Sequence, residues 1–290
     1  MRYNITAIYV CIDDFCKIYE KSEQYRLIVT AKQRSRSSEM SLSEMLTIMV
    51  IFHFSPCKNF KYFYNEYLKY AHKADFQKLL SYSRFVQLMP RLFVPFCILL
   101  HTVFGEKTGI YVADSTSLPV CDNKRITRNR VFNGLAARGK TTMGWFFGLK
   151  LHLVINHKGS IVAVKITPGN TDDRSVLDTM TRYLKGSIFA DKGYISKSLF
   201  SKLYTRGLKL ITGIRRNMKN YLMPLIDKIM LRKRYIIETI FGILKQDMNL
   251  SHSRHRSPIN ACVNTLSCLV AYQLRSHKPS LTLSQSLIQN

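Results

Sequence analysis

The first hundred residues have the hydrophobic spacing of helices. Apolar side chains recur three and four positions apart over residues 1 to about 107, with few glycines between them. The segment SLSEMLTIMVIFHF begins this pattern most clearly, because Ser41 and Glu44 have the spacing of a capping box. The aromatic segment NFKYFYNEYLKY follows, and its stripe is more typical of a core or a dimer contact than of a base-reading helix. The pattern predicts an all-helical N-terminal region.

The hydrophobic period changes near residue 108. GIYVADSTSLPV, WFFGLKLHLVIN and SIVAVKITPGN predict three strands. The segments after them predict, in order, the helix TDDRSVLDTMTRYLK, the short buried strand SIFA, a helix over 196–206, the strand LKLITGI and the closing helix RYIIETIFGILK. This order predicts an α/β fold with a mixed sheet flanked by helices, and it suits the ribonuclease H-like fold.

These patterns predict three regions in the chain. They are a helical region over 1–107, an α/β domain over 108–275 and a C-terminal tail over 276–290. No apolar run reaches the roughly 18 to 20 residues that span a membrane, and LFVPFCILLHTVFG is predicted to be a buried helix. The seven cysteines are odd in number and contain no C-x-x-C pair, which favours reduced thiols and a cytosolic protein.

The net charge of the chain indicates what kind of partner it binds. The chain has 44 Lys and Arg against 18 Asp and Glu, a formal net charge of +26. Such a charge repels itself unless a polyanion neutralises it, so nucleic acid is the leading partner, ahead of a membrane surface or a ribosomal-type complex. The cations are spread along the chain rather than collected in one tail, which favours a broad binding groove.

Three acids stand out by their positions. Asp114 interrupts the first strand, Asp191 directly follows SIFA, and Glu238 lies in the closing helix. A carboxylate beside a hydrophobic strand is costly to desolvate, so each needs an arginine or a metal ion as a partner. If the three converged, a divalent cation would relieve their repulsion, and two such cations serve phosphodiester chemistry. For the helix alone, a solvated salt-bridge face remains the alternative.

The closing helix also carries cations near its acid. At 100° per residue, Arg234, Glu238 and Lys245 fall within roughly 40° of one helix face. This face would offer a metal-binding carboxylate between two cations that bind DNA phosphates.

Five segments in this order resemble the DDE transposases of bacterial insertion sequences, most closely the nine-eighty-two family of insertion sequences. They are ADST, RGKTTMGWFFGLKLHLVIN, TPGNTDDR, ADKGY and RYIIETIFGILK, and the resemblance covers roughly residues 40 to 275. It implies that Asp114, Asp191 and Glu238 are the catalytic triad and hold two Mg²⁺ ions, with Mn²⁺ as a substitute. Relatives often have Tyr three residues before the arginine, where this chain has Leu231.

The resemblance also implies an activity and partners. Such enzymes cut DNA with a metal-activated water and join the freed 3′-hydroxyl to a target strand. The expected partners are the element's terminal inverted repeats, target DNA and at least one further copy of the chain. The expected location is the bacterial cytoplasm, at the nucleoid. Two alternatives remain: a non-catalytic DNA-binding remnant of a mobile element, and a ribonuclease H-like nuclease without strand transfer.

Other polar residues are candidates for DNA contacts. Lys150 and His152 alternate on one face of the second strand and could reach phosphates, or they could be polar residues at a sheet edge. The long connection between the first two strands contains the basic residues Arg125, Arg128, Arg130, Arg138 and Lys140, which favours a DNA-contacting insertion. Trp145 is predicted to be packed rather than stacked on a base. Asp172 and Asp173 are predicted to cap the helix that follows.

Overall fold

The computed structural model describes the chain in seven segments: 3–22, 40–76, 78–142, 144–216, 218, 222–251 and 255–281. Its contacts divide the chain into two compact units. The helical unit comprises Met1–Val103, Leu244–Leu250 and His255–Arg275. The α/β unit comprises Phe104–Ile243, Ser251–Arg254 and Ser276–Asn290. From residue 282 onward, the expected C-terminal tail lies outside the described residues.

The helical unit confirms the predicted N-terminal helices. Among the described residues of this region they are α1 (Ile5–Lys21), α2 (Leu42–Phe52), α3 (Phe60–Tyr62), α4 (Leu68–Ala71), α5 (Tyr82–Leu88) and α6 (Phe93–Thr102). A π-helical turn, Phe63–Tyr67, joins α3 to α4, and a 3₁₀ turn, Met89–Leu92, joins α5 to α6.

Local sequence signals explain how these helices begin and pack. The capping box at α2 is confirmed, because Glu44 N–H donates to Ser41 Oγ at 3.1 Å and Ser41 N–H donates to Glu44 Oε2 at 2.7 Å. Part of the aromatic segment that follows forms core: Phe63 and Tyr64 are fully buried, and the ring centroid of Tyr64 is 4.9 Å from that of Phe85. Tyr62 and Tyr70 of the same segment are exposed, so only one side of the aromatic stripe packs within this unit.

The helical run through α5 and α6 is longer than the sequence pattern predicted. It extends over Tyr82–Thr102, 21 residues, and by length and composition it is apolar enough to cross a membrane. The helix begins well before the apolar segment recognised in the sequence. Its residues Phe85, Leu92, Phe96 and Leu99 are at most 1% exposed, which is the burial of a helix in a protein core.

The C-terminal helix α11 (Pro258–Gln273) belongs to the helical unit, whereas the sequence placed residues up to 275 in the α/β domain. His53 shows one reason. Its Nδ1–H donates to the Met248 carbonyl oxygen at 2.7 Å, and its Nε2 is 2.9 Å from Ser267 Oγ on α11. The apolar side chains of α11 pack against α2 and α6, so the hydrophobic surface of α11 is buried within the helical unit.

We expect His53 to make the helical unit sensitive to acid. Burial lowers the pKa of His53 from 6.5 to about 4, so the unfolded chain binds a proton in a pH range where the folded chain does not. Stability should therefore fall as pH decreases from about 6.5 towards 4, by roughly 3 kcal/mol from this group. Urea unfolding at pH 7.5 and pH 5 measures the loss. A His53→Gln variant with the same pH dependence would contradict this assignment.

The α/β unit contains a six-stranded mixed sheet. Its strands are β1 (Ile110–Cys121), β2 (Ala137–Thr141), β3 (Gly144–Asn156), β4 (Ile161–Pro168), β5 (Gly186–Ala190) and β6 (Leu208–Thr212). The order is β2-β3-β1-β5-β6, and β4 also pairs with β3. β3 is antiparallel to β1, β2 and β4, whereas β5 is parallel to β1 and β6. The described helices of this unit are α7 (Asp173–Met180), α8 (Lys197–Thr205), α9 (Leu225–Lys233) and α10 (Ile236–Gly242).

The two faces of the sheet are covered differently. One face packs against α7 and α8 in a hydrophobic core that includes Tyr111, Ala113, Val154, Leu177 and Leu203. Since successive side chains of a strand alternate between faces, the side chain of Asp114 lies on the other face, where α10 contacts β1.

Strand β2 was missed in the sequence. Residues 122–143 read as one long basic connection, but within the described residues they contain a 3₁₀ turn, Asn123–Arg128, and then β2, which pairs with the start of β3. Apolar and polar residues do not alternate in the segment Ala137–Thr141, so the hydrophobic pattern could not predict a strand there.

Candidate active site

Strand register brings the first two acids together. In the parallel pair of β1 and β5, Val112 is opposite Phe189. Asp114 and Asp191 each come two residues later, so they occupy the same level of neighbouring strands and share a sheet face. Asp191 stands where β5 ends and a 3₁₀ turn begins, which leaves its side chain 56% exposed.

The third acid comes from the helices over this face. Glu238 lies in the first turn of α10, and Arg234 lies just after α9. The Arg234 guanidinium is near all three carboxylates: Nη1 is 3.6 Å from Asp114 Oδ2, and Nη2 is 3.7 Å from Asp191 Oδ1 and 3.8 Å from Glu238 Oε1. Three acids that are far apart in the sequence thus surround one positive charge.

The electrostatics of this site are dominated by Asp114. The pKa of Asp114 is raised to about 6, chiefly by burial and to a smaller extent by the neighbouring Asp191 and Glu238, while a hydrogen bond and Arg234 partly oppose the rise. The hydrogen bond comes from the Ser115 backbone N–H, which donates to Asp114 Oδ1 at 2.8 Å. The site therefore carries more negative charge than its surroundings readily stabilise, and it favours a cation.

The donor set fits a hard divalent cation. Carboxylate oxygens are the ligands that Mg²⁺ and Mn²⁺ prefer, and three carboxylates supply a strongly negative site for such ions. Within the part of the chain that the structure describes, no group of three His, Cys, Asp or Glu side chains is close enough to hold a metal ion. The reason is geometric, because the three carboxylates are spread around a guanidinium rather than around a single point.

The closing helix is interrupted, contrary to the single helix expected. A turn at Arg234 and Tyr235 separates α9 from α10, and a π-helical turn, Ile243–Asp247, follows α10. The assumption of 100° per residue from Arg234 to Lys245 is therefore wrong. Lys245 belongs to the helical unit, and burial lowers its pKa. Its contact with DNA stays a prediction.

A second polar cluster lies behind Asp114, on the opposite face of the sheet. Asp173 Oδ1 accepts from Lys150 Nζ at 2.9 Å, and Asp173 Oδ2 accepts from Ser115 Oγ at 3.1 Å. Lys150 Nζ also donates to the Thr171 carbonyl oxygen at 3.0 Å, and His152 Nδ1 is 3.8 Å from Asp173 Oδ1. The cluster therefore connects β3 and the start of α7 to the residue that follows Asp114.

Tyr194 completes this cluster. Its ring is buried, and its hydroxyl interacts electrostatically with Asp114 and Asp173. Burial raises the pKa of Tyr194, and the nearby Asp114 and Asp173 raise it further, so the phenol remains protonated and can donate.

The sequence missed Asp173 as a partner in this cluster. Asp172 is the N-cap of α7, as predicted, because its side chain accepts from Arg174 N–H. The Asp173 side chain instead points towards Lys150 and Ser115 of the sheet. The signal that could have found it was the pair Lys150 and His152 on a mostly apolar strand, since buried cationic or imidazole groups need an acceptor nearby.

The other predicted DNA contacts separate into two groups. Lys150 is 16% exposed and His152 is only 2% exposed, with its Nε2 hydrogen-bonded to Thr167 Oγ1. Their burial favours a role in holding Asp173 over direct contact with phosphates. The side chains of Arg125, Arg138 and Lys140 are exposed around the β2–β3 hairpin, where DNA could reach them.

Residues 104–258 match a known protein family, and the chain resembles solved structures of transposases. The family described as "Transposase DDE domain" matches residues 104–258. The chain is also similar to the piggyBac transposase in its synaptic complex with hairpin DNA, at 8% identity and a TM-score of 0.52, over 94% of this chain and 75% of that chain. The Mos1 strand transfer complex matches at 12% identity and a TM-score of 0.27, over 94% and 97% of the two chains. No curated protein sequence gives a significant match.

The predicted fold class is confirmed by these findings: a ribonuclease H-like mixed sheet with flanking helices, preceded by helices. The family match covers more than half of the 290 residues and includes Asp114, Asp191 and Glu238. The chain thus belongs to the family of transposases with a DDE domain.

Proposed function

We propose that this protein cuts DNA at the ends of an insertion sequence and joins the freed 3′-hydroxyl to target DNA. The observation that carries the proposal is the convergence of Asp114, Asp191 and Glu238 around one cationic group. The nine-eighty-two family of insertion sequences is the proposed subgroup, because of the motifs quoted above.

The three acids are proposed to hold divalent ions. Bound Mg²⁺, or Mn²⁺ as a substitute, would activate the attacking oxygen and stabilise the leaving oxygen of the phosphodiester. Asp114 and Asp191 would supply ligands from adjacent strands, which are rigid supports, and Glu238 would supply one from α10. Arg234 partly offsets the repulsion among the three carboxylates, and its guanidinium would have to move aside for an ion to contact all three.

DNA is the proposed partner, as terminal inverted repeats and as target. The formal charge of +26 supports this proposal, as do the exposed Arg125, Arg138 and Lys140. The helical unit is the proposed binding region for the repeats. Joining two element ends requires at least two copies of the chain, so a dimer on DNA is part of the proposal.

Strand cleavage and joining on a labelled DNA fragment that carries the element's end test this function. We expect both reactions with Mg²⁺ and neither with EDTA. Glu238→Gln should lower cleavage by about 1000-fold or more, because a lost ligand removes several kcal/mol of transition-state stabilisation. DNA binding should be retained, since the substitution removes a negative charge near the phosphates.

Other outcomes would replace the proposal. Cleavage without joining would favour a ribonuclease H-like nuclease. Binding without chemistry in the unsubstituted protein, with either Mg²⁺ or Mn²⁺, would favour a non-catalytic DNA-binding remnant of a mobile element.

A further inference from the structure

The only tryptophan of the chain is exposed at the start of β3, beside the edge strand β2. Trp145 is 63% exposed, although the sequence predicted a packed aromatic. It pairs with Lys140 across the β2–β3 hairpin, and Lys140 Nζ lies 5.7 Å from the centroid of the indole ring. Asn123 Nδ2 donates to the Trp145 carbonyl oxygen at 2.7 Å, which ties the preceding 3₁₀ turn to this position.

The β2–β3 hairpin has an inner face that packs against the protein and an outer face that is exposed to solvent. Phe146 is buried on the inner face against Gly139, where a Cβ added to the glycine would lie only 2.6 Å from the phenyl ring. Because neighbouring side chains of a strand point to opposite faces, Trp145 must point outward. Arg138 and Lys140 lie on that same outer face and are exposed.

This outer face continues the face of the sheet that carries Asp114. Asp114 is opposite Leu153 in the antiparallel pair of β1 and β3, so the two side chains share a face. Trp145 is eight residues before Leu153 on β3, and an even separation keeps it on that face. At about 3.3 Å per residue, the indole lies some 26 Å or less along the strand from the level of Asp114, a distance of about eight nucleotides of one DNA strand.

We propose that the outer face of the β2–β3 hairpin is a DNA-binding platform on which Trp145 stacks against an unpaired base. Lys140 and Arg138 would bind the phosphates on either side of that base. This inference rests on the proposed function, because it assumes DNA whose reactive phosphate is at the three acids. It adds to that function a preference for DNA that is single-stranded or distorted within about eight nucleotides of the reacting phosphate.

The chemistry of the platform favours nucleic acid over a protein partner. An exposed indole beside two cations of the neighbouring strand offers a stacking surface and phosphate contacts together, which is how proteins hold single-stranded nucleic acid. An apolar protein surface would leave the charges of Arg138 and Lys140 without partners. A fully paired duplex offers the indole no free base face, so pairing should weaken this contact.

Intrinsic fluorescence tests the proposal, because every photon of tryptophan emission comes from Trp145. The full-length Glu238→Gln variant in EDTA is titrated with two DNAs of one sequence, one fully paired and one with a single-stranded gap. Binding is followed separately by the anisotropy of a dye on the DNA. We expect strong quenching with gapped DNA and weaker quenching with the paired duplex. Binding of gapped DNA without any change in emission would overturn the proposal.

Affinity measurements on substituted proteins give a second test. Trp145→Ala should weaken binding of gapped DNA by about 5- to 100-fold and Trp145→Phe by less, since each stacked base contributes a substantial part of such affinity. The matched control is Tyr204→Ala, which removes another exposed aromatic side chain, 65% exposed, on α8 at the opposite face of the sheet. Equal affinities for Trp145→Ala and Tyr204→Ala would overturn the platform.

These tests separate the inference from the proposed function. Quenching and affinity need no chemistry, so a protein that binds gapped DNA through Trp145 but never cuts it would keep the platform and lose the transposase activity. A protein that cuts and joins DNA with unchanged emission would keep the activity and lose the platform.

Discussion

Replacing Asp114 by Asn is expected to abolish strand cleavage and at the same time to stabilise the metal-free protein at neutral pH. The loss of cleavage should be about 1000-fold or more, because the substituted amide is a poor ligand for a hard cation and the metal supplies several kcal/mol of transition-state stabilisation. DNA binding should persist, since no cationic residue is removed.

The gain in stability follows from the raised pKa of Asp114. Its folded-state pKa is about 6 against 3.8 for the free side chain, so the folded protein holds a proton in a pH range where the unfolded chain has lost it. Ionised Asp114 therefore lowers stability as pH rises from about 4 to 6, by about 3 kcal/mol in total. The amide of the Asp114→Asn variant carries no charge to desolvate, so this variant should be more stable above pH 6 and no more stable near pH 4.

Urea unfolding in EDTA at pH 4, 6 and 8 measures this effect. Asp122→Asn is the matched control, because Asp122 is an exposed acid directly after the same strand. A stability difference between Asp114→Asn and the unsubstituted protein that did not grow with pH would contradict the assigned pKa. Added Mg²⁺ should stabilise the unsubstituted protein more than the variant, because only the former keeps all three carboxylates.

Replacing Asp173 by Ala is expected to destabilise the α/β unit far more than replacing its neighbour Asp172. Loss of the Asp173 carboxylate leaves Lys150 mostly buried beside a single carbonyl oxygen and removes the acceptor of Ser115. We expect a cost of about 2 to 3 kcal/mol, somewhat below that of breaking a fully buried pair, because both side chains keep some solvent contact. Cleavage should also fall, since Ser115 adjoins Asp114.

Asp172→Ala is a close control because it removes an acid one residue away. It should cost about 1 kcal/mol, the usual value of an N-cap, and its exposed ion pair with Arg174 adds little. The test is to measure the free energy of unfolding of Asp173→Ala, of Asp172→Ala and of the double variant Asp173→Ala with Lys150→Met. The double variant should recover much of the loss, because it also removes the isolated ammonium. Equal losses at the two positions would show that Asp173 is only part of the cap.

The aspartates at the start of α7 show how far local rules reach. The N-cap preference identified Asp172 correctly, because capping involves only backbone groups two residues away. The same rule could not separate Asp173 from Asp172. The partners of Asp173 lie on β3 and β1, more than 20 and more than 50 residues away, and only the packed sheet brings them within hydrogen-bond distance.

Trp145 and the C-terminal helix were misjudged for a related reason. Burial of an aromatic ring depends on what covers it, and the strand β2 that forms the edge beside Trp145 has no apolar alternation to reveal it. Helix α11 has an apolar surface that fits either unit by composition. The hydrogen bonds of His53 to Met248 and Ser267 are among the contacts that place it with the N-terminal helices.

By itself, the sequence determined the helical first region, the order of strands and helices after it, and the three acids placed at a strand, a strand end and a helix. Hydrophobic period and charge are local properties, and a printed sequence displays them directly. Tertiary structure alone decided that parallel register sets Asp114 beside Asp191 and that Arg234 lies among all three carboxylates. It alone also decided that Asp173 accepts a hydrogen bond from Ser115, the residue next to Asp114. These relations depend on strand pairing and on the packing of distant residues, which the free energy of the whole fold selects rather than any single segment.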